Sequence, residues 1–235
     1  MTSSMIAALE GMERGNNVQI TSYTAPRPSP ASINDDEDIK VSGEAVYADV
    51  VSGNIKLDQY DATLVACYSV HTLVTRLYDF GSLSITGIFE ASISTVQLLL
   101  RPHSPEMWGI VTTGKFWEDH LTAGVKSFLG QDEGSANSKF AGVFSTGLNA
   151  GDFHTVPEEE VTARLRDATR RLFQSGDVRC VVMGCAGMAG LEHIIRSTAA
   201  EMFGARAGEN LYVVDGVKAG VLQLDQMVRS KQIFG

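Results

Sequence analysis

Residues 180–203 constrain the fold more than any other stretch of this chain. Cys180-Val181-Val182-Met183 is an apolar run of strand length. Gly184-Cys185-Ala186-Gly187 follows as a glycine turn, and Ala189 to Phe203 carries Leu191, Ile194, Ile195 and Met202 at helical spacing. The pattern predicts a buried strand, a tight turn holding Cys185, and a helix. Open α/β sheets bind ligands at the carboxyl ends of their strands, so this thiol stands where chemistry is usually done. The layout recurs earlier, where Thr63-Leu64-Val65-Ala66 leads into Cys67-Tyr68-Ser69 and then a helical stretch. A small residue precedes each cysteine (Ala66, Gly184), and a leucine lies six positions on (Leu73, Leu191). Two strand–cysteine–helix units predict two similar halves, each presenting one thiol.

The remaining pattern agrees with a sheet of parallel strands joined by helices. Thr2, Ser3 or Ser4 caps a helix expected to reach about Glu13, with Gly15-Asn16-Asn17 as its stop. Val18 to Tyr23 alternates polar and apolar residues, as a strand does. Pro26, Pro28 and Pro30 mark a loop, and Asn34 and Asp35 open a helix whose acidic first turn suits a helix N-terminus. Strands are expected at 62–66, 83–89, 107–111, 140–144 and 211–214. The helices between them include an apolar stripe of Trp117, Leu121, Val125 and Phe128, and another of Val161, Leu165, Ala168 and Leu172 after Pro157. A closing helix carries Val217, Val221, Leu224 and Val228. Strands alternating with amphipathic helices predict parallel sheets covered by helices on both faces.

Composition narrows the class. The chain of 235 residues is long enough for one large or two small cores, and no apolar run approaches the roughly 18 residues of a membrane span. A net charge of −9 disfavours nucleic acid and anionic membranes as partners. Three cysteines, with no signal-like start, predict reduced thiols and a cytoplasmic location. His103, His120, His154 and His193 lack metal-ligand spacing, so no metal is expected.

Cys67 and Cys185 carry the chemical signal. A thiol at a strand end, followed by the N–H groups that open a helix, is expected to feel a potential favouring thiolate. Activity would then rise towards the ordinary thiol range near ~8.5. Two such thiols on one substrate could act as base and acid on opposite faces of a carbon, as a cofactor-free racemase requires. Two ordinary buried cysteines would give the same spacing. Cys180 lies five residues before Cys185, an odd number, so its side chain leaves the other face and reads as core.

Gly184-Cys185-Ala186-Gly187-Met188, Ala66-Cys67-Tyr68-Ser69 and Pro30-Ala31-Ser32-Ile33 resemble the hydantoin/allantoin racemase branch of the aspartate/glutamate racemase superfamily. Gly87-Ile88-Phe89-Glu90-Ala91, Val111-Thr112-Thr113 and Val214-Asp215-Gly216-Val217-Lys218-Ala219-Gly220 resemble segments of it too, so the likeness spans nearly the whole chain. The resemblance implies two pseudo-symmetric α/β domains with the active site between them, 1–95 plus 208–235 carrying Cys67 and 96–207 carrying Cys185. It implies catalytic roles for Cys67 and Cys185, no organic cofactor or metal, a small-molecule substrate, a homo-oligomer, and a last helix packed back on the first domain. Ser32, Ile33, Tyr68, Ser69, Thr112, Thr113, Ala186 and Gly187 would contact substrate. Small residues and free backbone N–H groups after Cys185 suit a neutral ring with carbonyl acceptors, such as allantoin or a 5-substituted hydantoin, whose enolate oxygen they could stabilise.

Two departures stand out. Many relatives place Asp-Pro or Asp-His after the first cysteine motif, where this chain has Val70-His71. Relatives also open with a short apolar strand and an Asn-Pro-Asn loop, whereas Met1-Thr2 coincides with an internal Met-Thr of the family. The first strand is therefore expected to be absent, leaving strand edges unpaired and this form less stable or less active than an extended one.

Other functions remain open on the residues. Decarboxylation or cis–trans isomerisation within the same superfamily also uses strand-end cysteines. A non-enzymatic small-molecule-binding protein would tolerate cysteine replacement. Dinucleotide binding is disfavoured, because Gly184, Gly187 and Gly190 are spaced G-x-x-G-x-x-G and not G-x-G-x-x-G.

Overall fold

The computed structural model describes residues 2–10, 12, 18–81 and 83–235. Strand and helix alternate along it, and every strand pairing is parallel. β1 (Ala62–Val65) and β2 (Ser84–Gly87) form a two-stranded sheet. β3 (Met107–Thr112), β4 (Phe140–Ser145), β5 (Val178–Gly184) and β6 (Tyr212–Asp215) form a four-stranded sheet in the order β4-β3-β5-β6. The helices are α1 (Thr2–Ala8), α2 (Asp36–Val51), α3 (Thr72–Leu77), α4 (Ile88–Leu99), α5 (Phe116–Phe128), α6 (Glu158–Phe173), α7 (Glu192–Phe203), α8 (Ala205–Asn210) and α9 (Gly216–Phe234). Parallel sheets flanked by helices are what the alternation predicts. Among the described residues, no helix is long and apolar enough to cross a membrane.

Local chemistry sets the helix starts. Asp35 is extended and accepts the Asp38 N–H at 2.9 Å, while the Asp38 carboxylate reaches back to the Asn34 N–H at 2.9 Å. The acidic first turn of α2 thus caps its positive end. Glu158, Glu159 and Glu160 open α6, and Arg170 and Arg171 close it, matching the helix dipole at both ends. Its stripe of Val161, Leu165, Ala168 and Leu172 is buried as expected.

β5 runs through the middle of the larger sheet, so its alternation divides two cores. Cys180 and Val182 face a cluster with Trp108, Ile110, Phe89 and Ile88, and Val181 and Met183 face one with Leu165, Leu172, Ile194 and Ile195. The first cluster is continuous from α4 and Tyr68 in the first unit to β3 and β5 in the second. An apolar seam therefore joins the units. Burial of each large aliphatic side chain there contributes about 1.5–3 kcal/mol.

The closing segment is shared between the units. β6 is hydrogen-bonded to β5, with Met183 opposite Asp215, whereas α9 packs on β1, β2 and α4. β6 thus belongs to the larger sheet while the helix after it packs on the smaller one, and the crossing falls between Asp215 and Gly216. Asp215 makes that turn by capping α9, accepting the N–H groups of Val217 at 2.8 Å and Lys218 at 3.1 Å. Gly220 lets α9 lie against β1, since a Cβ there would stand 2.5 Å from Leu64 Cδ1.

Three local expectations change. Val18 to Tyr23 is not a strand, because no strand lies beside it to complete a ladder; Tyr23 instead donates to Asp49 Oδ2 at 2.5 Å. β2 stops at Gly87, not Phe89, because α4 starts at Ile88. The helix after Cys185 begins at Glu192, not Ala189, because a 3-10 turn over Ala186–Met188 and a left-handed Gly190 intervene. The described residues hold no strand before β1, and the smaller sheet stops at two strands. Helix α1 also stops short of its expected end near Glu13, at Ala8, where Leu9 and Glu10 form a turn; Glu13 and the Gly15-Asn16-Asn17 stop lie outside the described residues.

Candidate active site

Cys67 follows β1 by two residues, and Cys185 follows β5 directly. Both thus sit at carboxyl ends of parallel strands, one in each unit. They lie near enough that charge on Cys67 raises the pKa of Cys185. Each sulfur accepts one hydrogen bond from the residue two positions on. The Ser69 hydroxyl donates to Cys67 Sγ at 3.4 Å, and the Gly187 N–H donates to Cys185 Sγ at 3.3 Å. Cys180 is fully buried on the opposite face of β5, away from Cys185.

The potential at the two sulfurs differs from the sequence expectation. Burial pushes Cys67 up to about 11 and Cys185 up to about 12, with Cys67 adding to the rise at Cys185. The Ser69 hydroxyl and the N–H groups of Gly187 and Met188 pull the other way, but desolvation outweighs them. The thiols rest protonated, where strand-end N–H groups alone predicted a bias towards thiolate. Cys180, buried with no opposing donor, is also pushed up to about 12.

The Cys185 turn is held from several sides. Thr112 Oγ1 donates to the Gly184 carbonyl at 2.8 Å. Gly184 permits that approach, because a Cβ there would meet Ile110 Cγ2 at 2.6 Å and Thr112 Cβ at 2.9 Å. On the other flank, the Thr112 and Thr113 carbonyls accept the N–H groups of Thr146 at 2.8 Å and Gly147 at 3.0 Å. Glu118 in turn holds the end of β4, accepting the Ser145 N–H at 3.1 Å and its hydroxyl at 2.6 Å. α1 and the 3-10 turn Asp152–His154 pack against the Ala186–Met188 turn.

The other expected site residues divide into two sets. Ser69, Ala186 and Gly187 stand with the cysteines, on the two strand-end turns. Thr112 and Thr113 are buried at the end of β3, with the Thr112 hydroxyl committed to Gly184. Tyr68 turns into the core, edge-on to Phe89 at 5.6 Å between centroids, and its hydroxyl has no hydrogen-bond partner. Neighbouring Ser92 gives its own proton to the Ile88 carbonyl at 2.6 Å. Ser32 donates to Asn34 Oδ1 at 3.2 Å, and Ile33 packs on the core cluster. The turn's N–H groups, expected to be free for substrate, are engaged at Gly187, on Cys185 Sγ, and at Met188, on the Cys185 carbonyl at 3.0 Å.

His71 follows the first cysteine motif at the start of α3. It is buried at the N-cap of α3, its Nδ1 accepts the Leu73 N–H at 3.2 Å, and burial lowers its pKa to about 4. A neutral imidazole thus performs the capping an Asp side chain would. Glu118 was not legible as a site support, because its partner Ser145 lies 27 residues away and no local spacing marks it. Among the described residues, no group of three or more His, Cys, Asp or Glu side chains is arranged to hold a metal.

Each of the two strand-end thiols has a donor able to stabilise its anion, which is what proton transfer at carbon asks of a thiol. Comparison with known proteins agrees with this class of chemistry. The Asp/Glu/hydantoin racemase family profile matches residues 1–224. The Schizosaccharomyces pombe protein C1F7.10 is 36% identical over 231 residues, covering 97% of this chain and 87% of that one. The Saccharomyces cerevisiae protein DCG1 is 26% identical over 208 residues, covering 84% and 82%. Among solved structures, allantoin racemase from Klebsiella pneumoniae superposes with a TM-score of 0.76 at 18% identity, covering 98% of this chain and 83% of that one. Allantoin racemase from Pseudomonas fluorescens gives 0.76 at 21%, covering 98% and 86%. At these identities the structures share the fold. With the family profile spanning all but the last residues, the chain belongs to the Asp/Glu/hydantoin racemase family.

Proposed function

We propose that this chain is a cofactor-independent racemase of a hydantoin-type ring, allantoin or a 5-substituted hydantoin, working by proton transfer between Cys67 and Cys185. The observation that carries this reading is the placement of two thiols at the carboxyl ends of parallel strands, one from each sheet, each accepting a hydrogen bond from the residue two positions on. One sulfur, as thiolate, takes the proton from the carbon between the ring carbonyl and the ring nitrogen. The other, as thiol, gives its proton to the opposite face. The roles reverse for the other enantiomer. The likeness to two allantoin racemases supports the ring as substrate class.

The test is circular dichroism on single enantiomers of allantoin and several 5-substituted hydantoins, with the uncatalysed rate subtracted. Enantiomers have equal free energy in water, so kcat/KM must be the same from either side, although kcat and KM separately need not be. Cys67→Ser and Cys185→Ser should each abolish inversion. Near-full activity in either variant would overturn the assignment.

A further inference from the structure

The two sulfurs are matched in position but not in their donors. Cys185 accepts from a backbone N–H, which no side-chain substitution removes, whereas Cys67 accepts from a side chain. Ser69 is fully buried, its N–H is bonded to the Cys67 carbonyl at 3.1 Å, and its hydroxyl aims at Cys67 Sγ. We infer that Ser69 is a positioning residue for Cys67, holding the sulfur's direction and stabilising its thiolate through the side-chain hydroxyl, and not a direct substrate contact. This rests on the two-thiol reading above and assigns one side chain control over which cysteine carries the charge.

The chemistry follows from the bond. A hydroxyl donating to sulfur strengthens when the sulfur becomes an anion, so it favours the charged form. Among titratable groups on neighbouring elements, Cys185 on the Ala186–Met188 turn is the one coupled to Cys67. His71 at the start of α3 is held neutral, and Glu90 on α4 acts on Tyr68. Ser69 is therefore the side chain that sets Cys67 apart from its partner thiol, and it opposes the burial that raises Cys67.

The test compares full-length wild type, Ser69→Ala and Ser69→Thr by iodoacetamide labelling at pH 8, with Cys67 and Cys185 peptides quantified separately by mass spectrometry. Loss of the hydroxyl is expected to raise the Cys67 pKa by about one unit, a tenfold fall in thiolate. The more basic thiolate is more nucleophilic, which offsets part of that fall, so Cys67 labelling should slow by about three- to fourfold. Cys185 labelling should be unchanged, and Ser69→Thr should restore the Cys67 rate. Equal Cys67 rates in wild type and Ser69→Ala would overturn the inference, even if the chain racemises hydantoins. Parallel changes at both cysteines, or no recovery with threonine, would overturn it too. Selective slowing in a chain that inverts no hydantoin would uphold the role of Ser69 at the sulfur while removing the proposed function.

Discussion

Thr112 Oγ1 and the Gly184 carbonyl meet at 2.8 Å, joining β3 to the last residue of β5 just before Cys185. The hydroxyl is spent on the strand end, so Thr112 governs where Cys185 points. Thr112→Val keeps the shape and leaves the carbonyl short of a donor, at a cost of about 1–3 kcal/mol. It should lower kcat by roughly tenfold with little change in KM, while Thr112→Ser stays near wild type. A rise in KM at constant kcat would show instead that the hydroxyl binds substrate.

Tyr68 should tolerate loss of its hydroxyl. The group is buried without a partner, so Tyr68→Phe removes a desolvation penalty of about 1–3 kcal/mol. The melting temperature should hold or rise by roughly 2–4 °C per kcal/mol gained, with unchanged turnover. A large loss of activity would place the phenol in the substrate site.

His71 makes stability fall in acid. Its folded pKa, about 4, lies below the 6.5 of the free side chain. Between these values the unfolded chain binds the extra proton, so stability is fully present above pH 6.5 and is lost as pH falls towards 4. The loss reaches about 3 kcal/mol. Buried Glu90 and Asp215, both raised by desolvation, contribute with the opposite sign. His71→Asn keeps an N-cap acceptor without the titration, so the difference between the two proteins isolates the histidine. Denaturant melts at pH 7, 5.5 and 4.5 should show the wild type losing ground to the variant in acid.

Cys180→Ala should separate core from chemistry. Removing a fully buried sulfur leaves a small cavity costing about 1–2 kcal/mol. Racemisation kinetics should be near wild type. A loss matching that of Cys185→Ser would mean that the working thiol of β5 had been misassigned.

The protonated resting state predicts a steep dependence on base. With Cys67 near 11 and Cys185 near 12, the thiolate fraction grows tenfold per pH unit across the neutral range. Cys67 labelling should rise log-linearly from pH 6.5 to 9. A plateau near 8.5 would show that the site opens to water before reacting.

What the sequence revealed follows from periodicity. The odd interval between Cys180 and Cys185 correctly separates their faces, because side chains alternate along a strand. The α6 stripe is legible for the same kind of reason, as is the Asp35 cap. Contacts set by three-dimensional neighbours are not. Val18 to Tyr23 has a strand's alternation but no strand beside it, and Thr112 reads as a hydroxyl donor until Gly184 takes up that hydroxyl. The balance at the thiols is not legible because N–H donors can be read from a turn, whereas the burial that outweighs them is set by neighbours distant in sequence.

The crossing at Asp215–Gly216 also sets an order of events during synthesis. β1, β2 and α4 leave the ribosome early, yet α9, the helix that covers them, is encoded after the whole second unit. Translating the intervening stretch takes on the order of ten seconds. Through that interval Leu64 and Ile88 await the glycine face of α9, and the apolar surface it covers in the finished fold stays open to water.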